Sequence, residues 1–221
     1  MQGDFRVWKK NFTKSQNIYL ETGKTVIKVM NNNLPAILNE LGIVSTASKQ
    51  RFLDKANVVE LPKNHTIFEE GKKNHFEYVL ISGVVHRSNI SDKGDLVTTG
   101  FYMSKSVITP HFARTVSGKS IFSLQTLTDV TLAEIEVTDL DNLRYTSKEY
   151  NDFGQHIVRT ELARTFYNEV MFRSFNAKER LLTLRKQFPG LENLVPHNII
   201  ASYLGITNVS LSRLRNELAR Q

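Results

Sequence analysis

The chain has 221 residues, 40% of them hydrophobic and 23% charged, which is typical of a globular protein with one large domain or two smaller ones. It contains no cysteine, which excludes disulfides, thiolate zinc sites, iron–sulfur clusters and thiol redox sensing together. No apolar run approaches the ~20 residues that a membrane span needs, and the first residues lack a signal-peptide core, so we expect a cytoplasmic protein without a membrane partner.

The net charge of +7 is distributed unevenly. Residues 1–30 hold six Lys or Arg against two Asp or Glu, and residues 176–221 hold seven against three. The central residues, 31–175, hold sixteen against seventeen and are nearly neutral. A basic end beside a neutral body favours a polyanionic partner such as nucleic acid, although basic ends are also often simply solvated.

The N-terminal third of the sequence predicts one helical region. Residues 1–30 show no clear periodicity and are interpreted as an N-terminal extension. Residues 34–56 carry apolar side chains at helical spacing, beginning with Ile37, Leu38 and Leu41. Within that region the segment "STASKQ" (45–50) is a typical helix N-terminus.

Residues 57–137 have a sequence pattern typical of antiparallel β-structure. Short β-branched or aromatic runs alternate with Gly, Asn, Asp and Lys, which predicts a barrel or sandwich. The segment "SDKGD" (91–95) is a hairpin turn signal in which Gly94 can adopt a positive φ. Gly71 and Gly83 are expected at strand junctions in the same way.

After Thr138 the sequence pattern becomes typical of helices, with no proline for almost forty residues. We assign residues 146–175 to one long helix, with Gly154 as a weak point near its start. Its apolar side chains form a stripe that predicts a dimer interface with a second copy of the chain; they are Phe153, Ile157, Leu162, Phe166 and Val170. Packing within a single chain is the alternative.

The last 46 residues predict several short helices. Asn176 can cap a helix, and Glu179 three residues later completes a capping-box pattern. This helix is closed by Pro189–Gly190, and the next begins near Pro196, a residue that favours the first turn of a helix.

Gly205 separates two short amphipathic segments and can end the first helix in the left-handed conformation. The apolar and small residues around it follow the packing pattern of a helix-turn-helix, which a simple helix hairpin does not require. The predicted core of this motif is Ile200, Ala201, Leu204, Gly205, Ile206, Leu211 and Leu214.

The outward face of the second segment is the predicted DNA-reading surface. Asn208, Val209, Ser212 and Arg213 are not used by the core pattern, and Asn, Arg and Val can pair with adenine, guanine and a thymine methyl group respectively. Thr207, Ser210 and Arg215 are better placed to contact phosphates. A solvated polar face would have a similar composition.

At this point the sequence resembles the cyclic-AMP receptor / fumarate–nitrate regulator (Crp/Fnr) superfamily of bacterial transcription regulators. "IASYLGIT" and "LSRLR" within residues 200–215 are similar to the Bacteroidetes form of its DNA-binding module, and residues 68–88 resemble the first strands of its cyclic-nucleotide-binding β-roll. The resemblance implies an α+β fold, with a β-roll effector domain (31–145), a dimerisation helix (146–175) and a winged-helix-like helix-turn-helix domain (176–221).

The resemblance also implies function. The expected protein is a homodimer that binds a palindromic operator in double-stranded DNA, with RNA polymerase as a candidate further partner and a small-molecule effector in each β-roll. Tyr102, Arg114 and Ser120 are the expected pocket residues. In this sequence the cassette "MSKSVITPHFARTVSGKSIF" (103–122) lacks the family's Gly-Glu pair and has Lys119–Ser120 where an arginine is expected. We therefore do not expect tight cyclic-AMP binding.

The sequence leaves three other hypotheses. A metal-dependent barrel enzyme needs converging histidines, and the six histidines do not occur in paired spacing, so neither catalytic nor metal-binding residues are predicted. Haem or gas sensing through a histidine is a second reading. A regulator that works as a constitutive dimer without any ligand, or one with an atypical cyclic-nucleotide pocket, is the third.

Overall fold

The computed structural model describes residues 18–21, 24–27 and 33–220. Twelve strands occur in these ranges, all of them before residue 137. The strands are β1 Ile18–Glu21, β2 Lys24–Ile27, β3 Asn57–Leu61, β4 Thr66–Phe68, β5 Phe76–Ser82, β6 Val84–Ile90, β7 Leu96–Met103, β8 Ser106–Val107, β9 Thr115–Val116, β10 Lys119–Ser120, β11 Ser123–Thr126 and β12 Val130–Glu136.

Nine helices occur in the same described ranges, and all but three follow the last strand. The helices are α1 Leu34–Glu40, α2 Thr46–Lys55, α3 His111–Arg114, α4 Val137–Thr146, α5 Lys148–Ser174, α6 Ala177–Gln187, α7 Leu191–Leu194, α8 His197–Leu204 and α9 Asn208–Ala219.

The strands form two facing antiparallel sheets, which confirms the predicted β-rich domain. One sheet has the order β1-β2-β3-β12-β5-β8 and the other β4-β11-β6-β7, with β9 and β10 paired separately. Alternating side chains of both sheets fill the space between them, because successive residues of a strand point to opposite faces. This roll core includes Phe68, Tyr78, Leu80, Tyr102 and Leu132.

Two turns of the roll depend on glycine. Gly94 closes the β6–β7 hairpin with φ +83°, as the sequence predicts. Gly83 joins β5 to β6 with φ +92°, and a Cβ atom there would lie 2.4 Å from the carbonyl oxygen of Asp129. Any larger residue at position 83 would therefore displace the neighbouring backbone.

The predicted helical region 34–56 consists of two helices. The helix α1 ends before Gly42, and α2 begins after Ser45, whose hydroxyl accepts a hydrogen bond from the amide of Ser48 at 3.2 Å. The predicted helix start at residues 45–50 is thus confirmed. Both helices pack on the outer face of the first sheet, together with Tyr150 and Phe153 of α5.

The long helix predicted over residues 146–175 is confirmed as α5, which has 27 residues. It is separated from α4 by Ser147, which has extended backbone geometry. Residues 137–220 contain helices only, so the wing implied by the winged-helix resemblance has no strands in this range. The region predicted to bind DNA is built from α6 to α9.

Residues 1–30, interpreted as an N-terminal extension without clear periodicity, contain two of the strands. β2 pairs with β3 through Thr25–Glu60 and Val26–Val59, so this segment extends the first sheet. β1 pairs with β2. The remaining residues of the predicted extension lie outside the described part of the chain.

His86 is a buried histidine from which we expect the roll to be less stable in acid. Its ring is fully buried, 3.2 Å from the hydroxyl of Thr98 and 3.3 Å from the amide oxygen of Gln125. Burial lowers the pKa of His86 below the value of 6.5 that it has when unfolded, although the contact with Gln125 opposes this shift. Between the two pKa values, the unfolded chain holds a proton that the folded chain lacks.

We therefore expect the free energy of unfolding to fall as the pH decreases below 6.5, by at most about 1.4 kcal/mol per pH unit from this one group. Urea unfolding at pH 7.5, 6.5, 5.5 and 5.0 measures the effect. His86→Gln should flatten this part of the profile, whereas His75→Gln, at an exposed histidine, serves as the control. An unchanged slope in His86→Gln would contradict the assignment.

Candidate nucleic-acid interface

Gly205 forms the turn between α8 and α9. It has φ +66° and ψ +36°, and its amide donates to the carbonyl oxygens of Ala201 and Ser202. The amide of Ile206 also donates to Ala201, at 3.0 Å. These bonds satisfy the last carbonyls of α8 while the chain changes direction, which is the turn geometry predicted from the sequence.

Thr207 begins the second helix. Its hydroxyl accepts a hydrogen bond from the amide of Ser210 at 3.1 Å and lies 2.9 Å from the Ser210 hydroxyl. Thr207 therefore caps α9, and the Ser210 hydroxyl is hydrogen-bonded to the capping oxygen. That these two hydroxyls contact DNA phosphates stays a prediction. In the structure they hold the first turn of α9 in place.

The residues predicted as the motif core lie between the two helices. Ile200, Ala201, Leu204 and Leu211 are buried, and Ile206 and Leu214 pack against them at the edge. The close approach of the helices is permitted by the small side chain of Ala201. The two helices are thereby fixed relative to each other by packing as well as by the turn.

The predicted reading face of α9 is free of the core. Asn208, Val209, Ser212 and Arg213 are exposed, with Val209 61% exposed. Arg213 forms no ion pair within the described part of the chain, so its guanidinium group is available to a partner. These four side chains lie on one side of the helix, because they recur at spacings of one, four and five residues.

Arg215 has a different environment from the one that the sequence suggests. Its guanidinium group lies 3.0 Å from a carboxylate oxygen of Glu192 in α7 and 3.1 Å from the Nδ1 atom of His197 in α8. Arg185 binds the same carboxylate at 2.5 Å. Arg215 thus ties α9 to the rest of the module, and a contact with phosphate would have to use its remaining donors.

The module is docked on the β-roll, a contact that the sequence did not reveal. The hydroxyl of Ser202 in α8 accepts from the amide of Thr98 at 3.0 Å and donates to the carbonyl of Leu96 at 3.3 Å. The ring of Phe101 in β7 lies 5.1 Å from that of Tyr203, in an edge-on arrangement. The two domains therefore share one continuous core at this contact.

The predicted dimer stripe on α5 is only partly exposed. Phe153 is 4% exposed and lies in the core beneath α1 and α2, and Ile157 packs against that core. The prediction that Phe153 faces a second copy is therefore wrong, because its own chain already covers it. Leu162, Phe166 and Val170 are each more than half exposed.

Val158 extends this exposed stripe and was missed. It precedes Leu162 by four residues, and it is 38% exposed. Val158, Leu162, Phe166 and Val170 thus follow one another at intervals of four along a single side of α5. We refer to these four residues as the α5 stripe. The signal for Val158 was present in the sequence as the same four-residue interval.

The three expected effector-pocket residues all lie inside the roll. Tyr102, Arg114 and Ser120 are at most 2% exposed. The guanidinium carbon of Arg114 lies 4.6 Å from the ring centre of Phe68 and 5.5 Å from that of Tyr78. The roll interior is therefore occupied by the chain's own side chains at this point, which corrects the expectation of an open pocket around Arg114.

Arg114 is also held by hydrogen bonds to its own chain. It donates to the carbonyl oxygens of Thr109, at 3.0 Å, and Phe76, and to the side-chain oxygen of Asn74, at 3.0 Å. Burial lowers the pKa of Arg114, while the charge of Glu77 raises it. Its Nη1 atom and the hydroxyl of Ser120 are buried without a hydrogen-bond partner in the described structure.

A polar network connects the roll to α5. The hydroxyls of Tyr102 and Thr109 are hydrogen-bonded to each other, and Thr109 donates to Glu161 at 2.8 Å. Arg164 donates to Glu161 at 2.6 Å and to the Tyr102 hydroxyl at 3.1 Å. Because the network joins strand β7, the segment before α3 and helix α5, the roll cannot move relative to α5 without breaking charged hydrogen bonds.

Neither a membrane span nor a metal centre is a feature of the described residues. None of the helices described in the structure has both the length and the apolar character of a membrane span. Within the same ranges no three His, Asp or Glu side chains are grouped as ligands for a metal ion.

No protein-family model matches the chain, and no curated protein matches it in sequence. Among solved structures it is similar to FixK2 from Bradyrhizobium japonicum, with 18% identity, a TM-score of 0.64 and coverage of 75% of this chain and 85% of that one. It is also similar to CLP, the c-di-GMP responsive global regulator of Xanthomonas campestris, with 18% identity, a TM-score of 0.63 and coverage of 80% and 92%.

A third similar structure is a transcriptional regulator assigned to the crp/fnr family, from Eubacterium rectale, with 15% identity and a TM-score of 0.63. The match covers 82% of this chain and 86% of that chain. At this level of identity the comparisons establish the architecture. The chain has the fold of the Crp/Fnr regulators, with a β-roll, a long helix and a helix-turn-helix module.

Proposed function

We propose that this protein is a Crp/Fnr-type transcription regulator that binds double-stranded DNA as a homodimer. The observation that carries the proposal is the free outer face of α9, where Asn208, Val209, Ser212 and Arg213 are exposed beside a rigid turn. Asn and Arg are the side chains that read adenine and guanine through paired hydrogen bonds in the major groove. The excess of basic residues in 176–221 supports attraction to the phosphate backbone.

The α5 stripe supports the dimer. Four apolar side chains lie in a row on a long helix, and a second copy related by a twofold axis would cover them. Such a dimer presents two α9 helices, which is the arrangement suited to a palindrome with half-sites one helical turn apart. A cytoplasmic location and RNA polymerase as a further partner follow from this proposal as predictions.

A small-molecule effector is part of the proposal, because CLP is described as c-di-GMP responsive and the fold is shared. The filled roll interior around Arg114 weighs against a nucleotide in that place. It supports the second candidate, a ligand-independent dimer whose roll is locked to α5 through Glu161 and Arg164.

Selection of bound sequences from random double-stranded DNA with the full chain tests the proposal. We expect a palindrome with half-site centres 10–10.5 base pairs apart, about 34–36 Å. Binding should weaken steeply with salt, because phosphate contacts release counterions. A selected pool without any sequence preference would overturn the proposal, and a single unpaired half-site would overturn its dimer.

A further inference from the structure

A cavity of about 230 Å³ lies where three parts of the chain meet. The β-roll contributes Arg87 and Phe101, the helix α5 contributes Arg164 and Asn168, and the DNA-binding module contributes Phe188 and Tyr203. Ligand pockets are commonly about 300–1,000 Å³, so this one suits a molecule with a single ring.

Aromatic side chains form one wall of the cavity. The ring of Phe101 lies 5.1 Å from Tyr203 and 5.8 Å from Phe188, and both pairs are edge-on. Because Phe101 belongs to the roll and the other two to the module, this wall exists only while the two are docked. A flat apolar ring would find edge-to-face partners there.

The opposite side of the cavity is positively charged. Arg87 and Arg164 share one carboxylate, Glu161, at 3.6 Å and 2.6 Å respectively. Both arginines line the cavity together with Tyr203. Burial raises the pKa of Tyr203, and the charges of both arginines lower it. Two cations against one anion leave a net positive charge beside the aromatic wall.

Gly100 makes room for the side chain of Arg87. The side chain of Arg87 crosses Gly100 so closely that a Cβ atom there would lie 2.6 Å from the Nε atom of Arg87. In the same place the pairing of β6 and β7 shifts register by one residue. This bulge and the glycine together let Arg87 lie against β7, where its Nε atom donates to the carbonyl of Thr99 at 3.1 Å.

Two buried polar atoms of the lining residues are unsatisfied. The Nε atom of Arg164 and the side-chain oxygen of Asn168 are buried, and neither has a hydrogen-bond partner in the described structure. One is a donor and the other an acceptor. An unpaired buried donor or acceptor is unfavourable, and here either side chain has to turn toward the cavity for a ligand or water to pair with it.

We propose that this cavity binds a small aromatic carboxylate and that the bound molecule holds the DNA-binding module against the roll. The ring packs edge-to-face against Phe101 and Tyr203, and the carboxylate lies beside Arg87 and Arg164. A ring hydroxyl donates to the side-chain oxygen of Asn168 once that side chain turns toward the cavity. The regulatory part of this inference rests on the proposed DNA-binding function. The binding part stands without it.

Calorimetry on the full chain, with 4-hydroxybenzoate as the probe, tests the binding. We expect saturable binding of one molecule per chain. The uncharged 4-hydroxybenzamide should bind at least about tenfold more weakly, because it lacks the charge that the two arginines recognise. Absence of binding, or equal binding of the acid and the amide, would overturn the proposal.

Gln187→Glu locates the site. Gln187 lines the cavity and is exposed, so the change adds a repelling carboxylate without disturbing the core. It should weaken 4-hydroxybenzoate at least about fivefold. Gln155→Glu is the matched control, since Gln155 lies on α5 beside a different depression. If the two variants bind alike, the ligand is not in this cavity.

The regulatory part is measured on DNA. Saturating 4-hydroxybenzoate should change the affinity for the selected palindrome by about 5- to 150-fold, the usual range of coupling between sites. If calorimetry shows binding but DNA affinity is unchanged, the coupling is refuted. If no DNA sequence is selected with or without the ligand, the proposed function fails and the binding result still stands.

Discussion

Replacing Phe166 with glutamate is expected to convert the protein to monomers and to lower its affinity for a palindromic site by at least about 100-fold. Phe166 is 59% exposed in the single chain and lies in the middle of the α5 stripe. In a twofold dimer, two glutamates would meet close to the axis in an apolar seam, where unpaired charges are strongly disfavoured. The fold of the monomer should survive, because the side chain is not part of a core.

The loss in DNA affinity follows from the loss of the second half-site. Two linked recognition helices bind with an avidity that exceeds either alone by about 10²–10⁴. Light scattering gives the mass, and fluorescence anisotropy gives the affinity. Tyr145→Glu, at a side chain that is 90% exposed and outside α5, is the control. A dimer mass that persists in Phe166→Glu would place the interface elsewhere.

The second large effect is expected from Arg213→Ala. The side chain is exposed on α9 and forms no ion pair within the described ranges, so its removal leaves the module intact. Each half-site should lose about 1–3 kcal/mol, and the preference at one base position should disappear. Anisotropy titrations with the selected palindrome, with single-base variants and with random DNA measure both quantities.

Arg215→Ala is the informative comparison for Arg213. Since Arg215 binds Glu192 and His197, its removal should lower the melting temperature and weaken all DNA sequences similarly. If it also contacts phosphate, the slope of log K against log salt becomes shallower by about one unit. If Arg213→Ala instead weakens random and selected DNA equally, Arg213 is a phosphate clamp. Specificity would then come from Asn208, Val209 and Ser212 or from DNA bending.

Local features of the fold could be predicted from the sequence. The capping box of Asn176 and Glu179 is confirmed, with bonds of 3.0 Å and 2.8 Å, because it involves residues only three positions apart. The left-handed Gly205 and the hairpin at Gly94 are equally local. The strands were predictable because short β-branched runs between turn residues have few other solutions.

Long-range pairings could not be predicted. Phe153 and Phe166 are similar apolar residues on one helix, and only the packing of α1 and α2 distinguishes the buried one from the exposed one. The same holds for Arg215, whose partner Glu192 is 23 positions earlier. The docking of Ser202 on β7 depends on a separation of about a hundred residues, for which the sequence contains no periodic signal.

The docking of Ser202 has a consequence for solubility. β7 is the edge strand of its sheet, and the amide of Thr98 and carbonyl of Leu96 that bond to Ser202 belong to its outer side. An unprotected eight-residue edge can pair with strands of other molecules and begin aggregation. The helix α8 therefore covers this edge and blocks such pairing. Any state in which the module moves away from β7 has to be short-lived, or another element has to cover the strand, if aggregation is to be avoided.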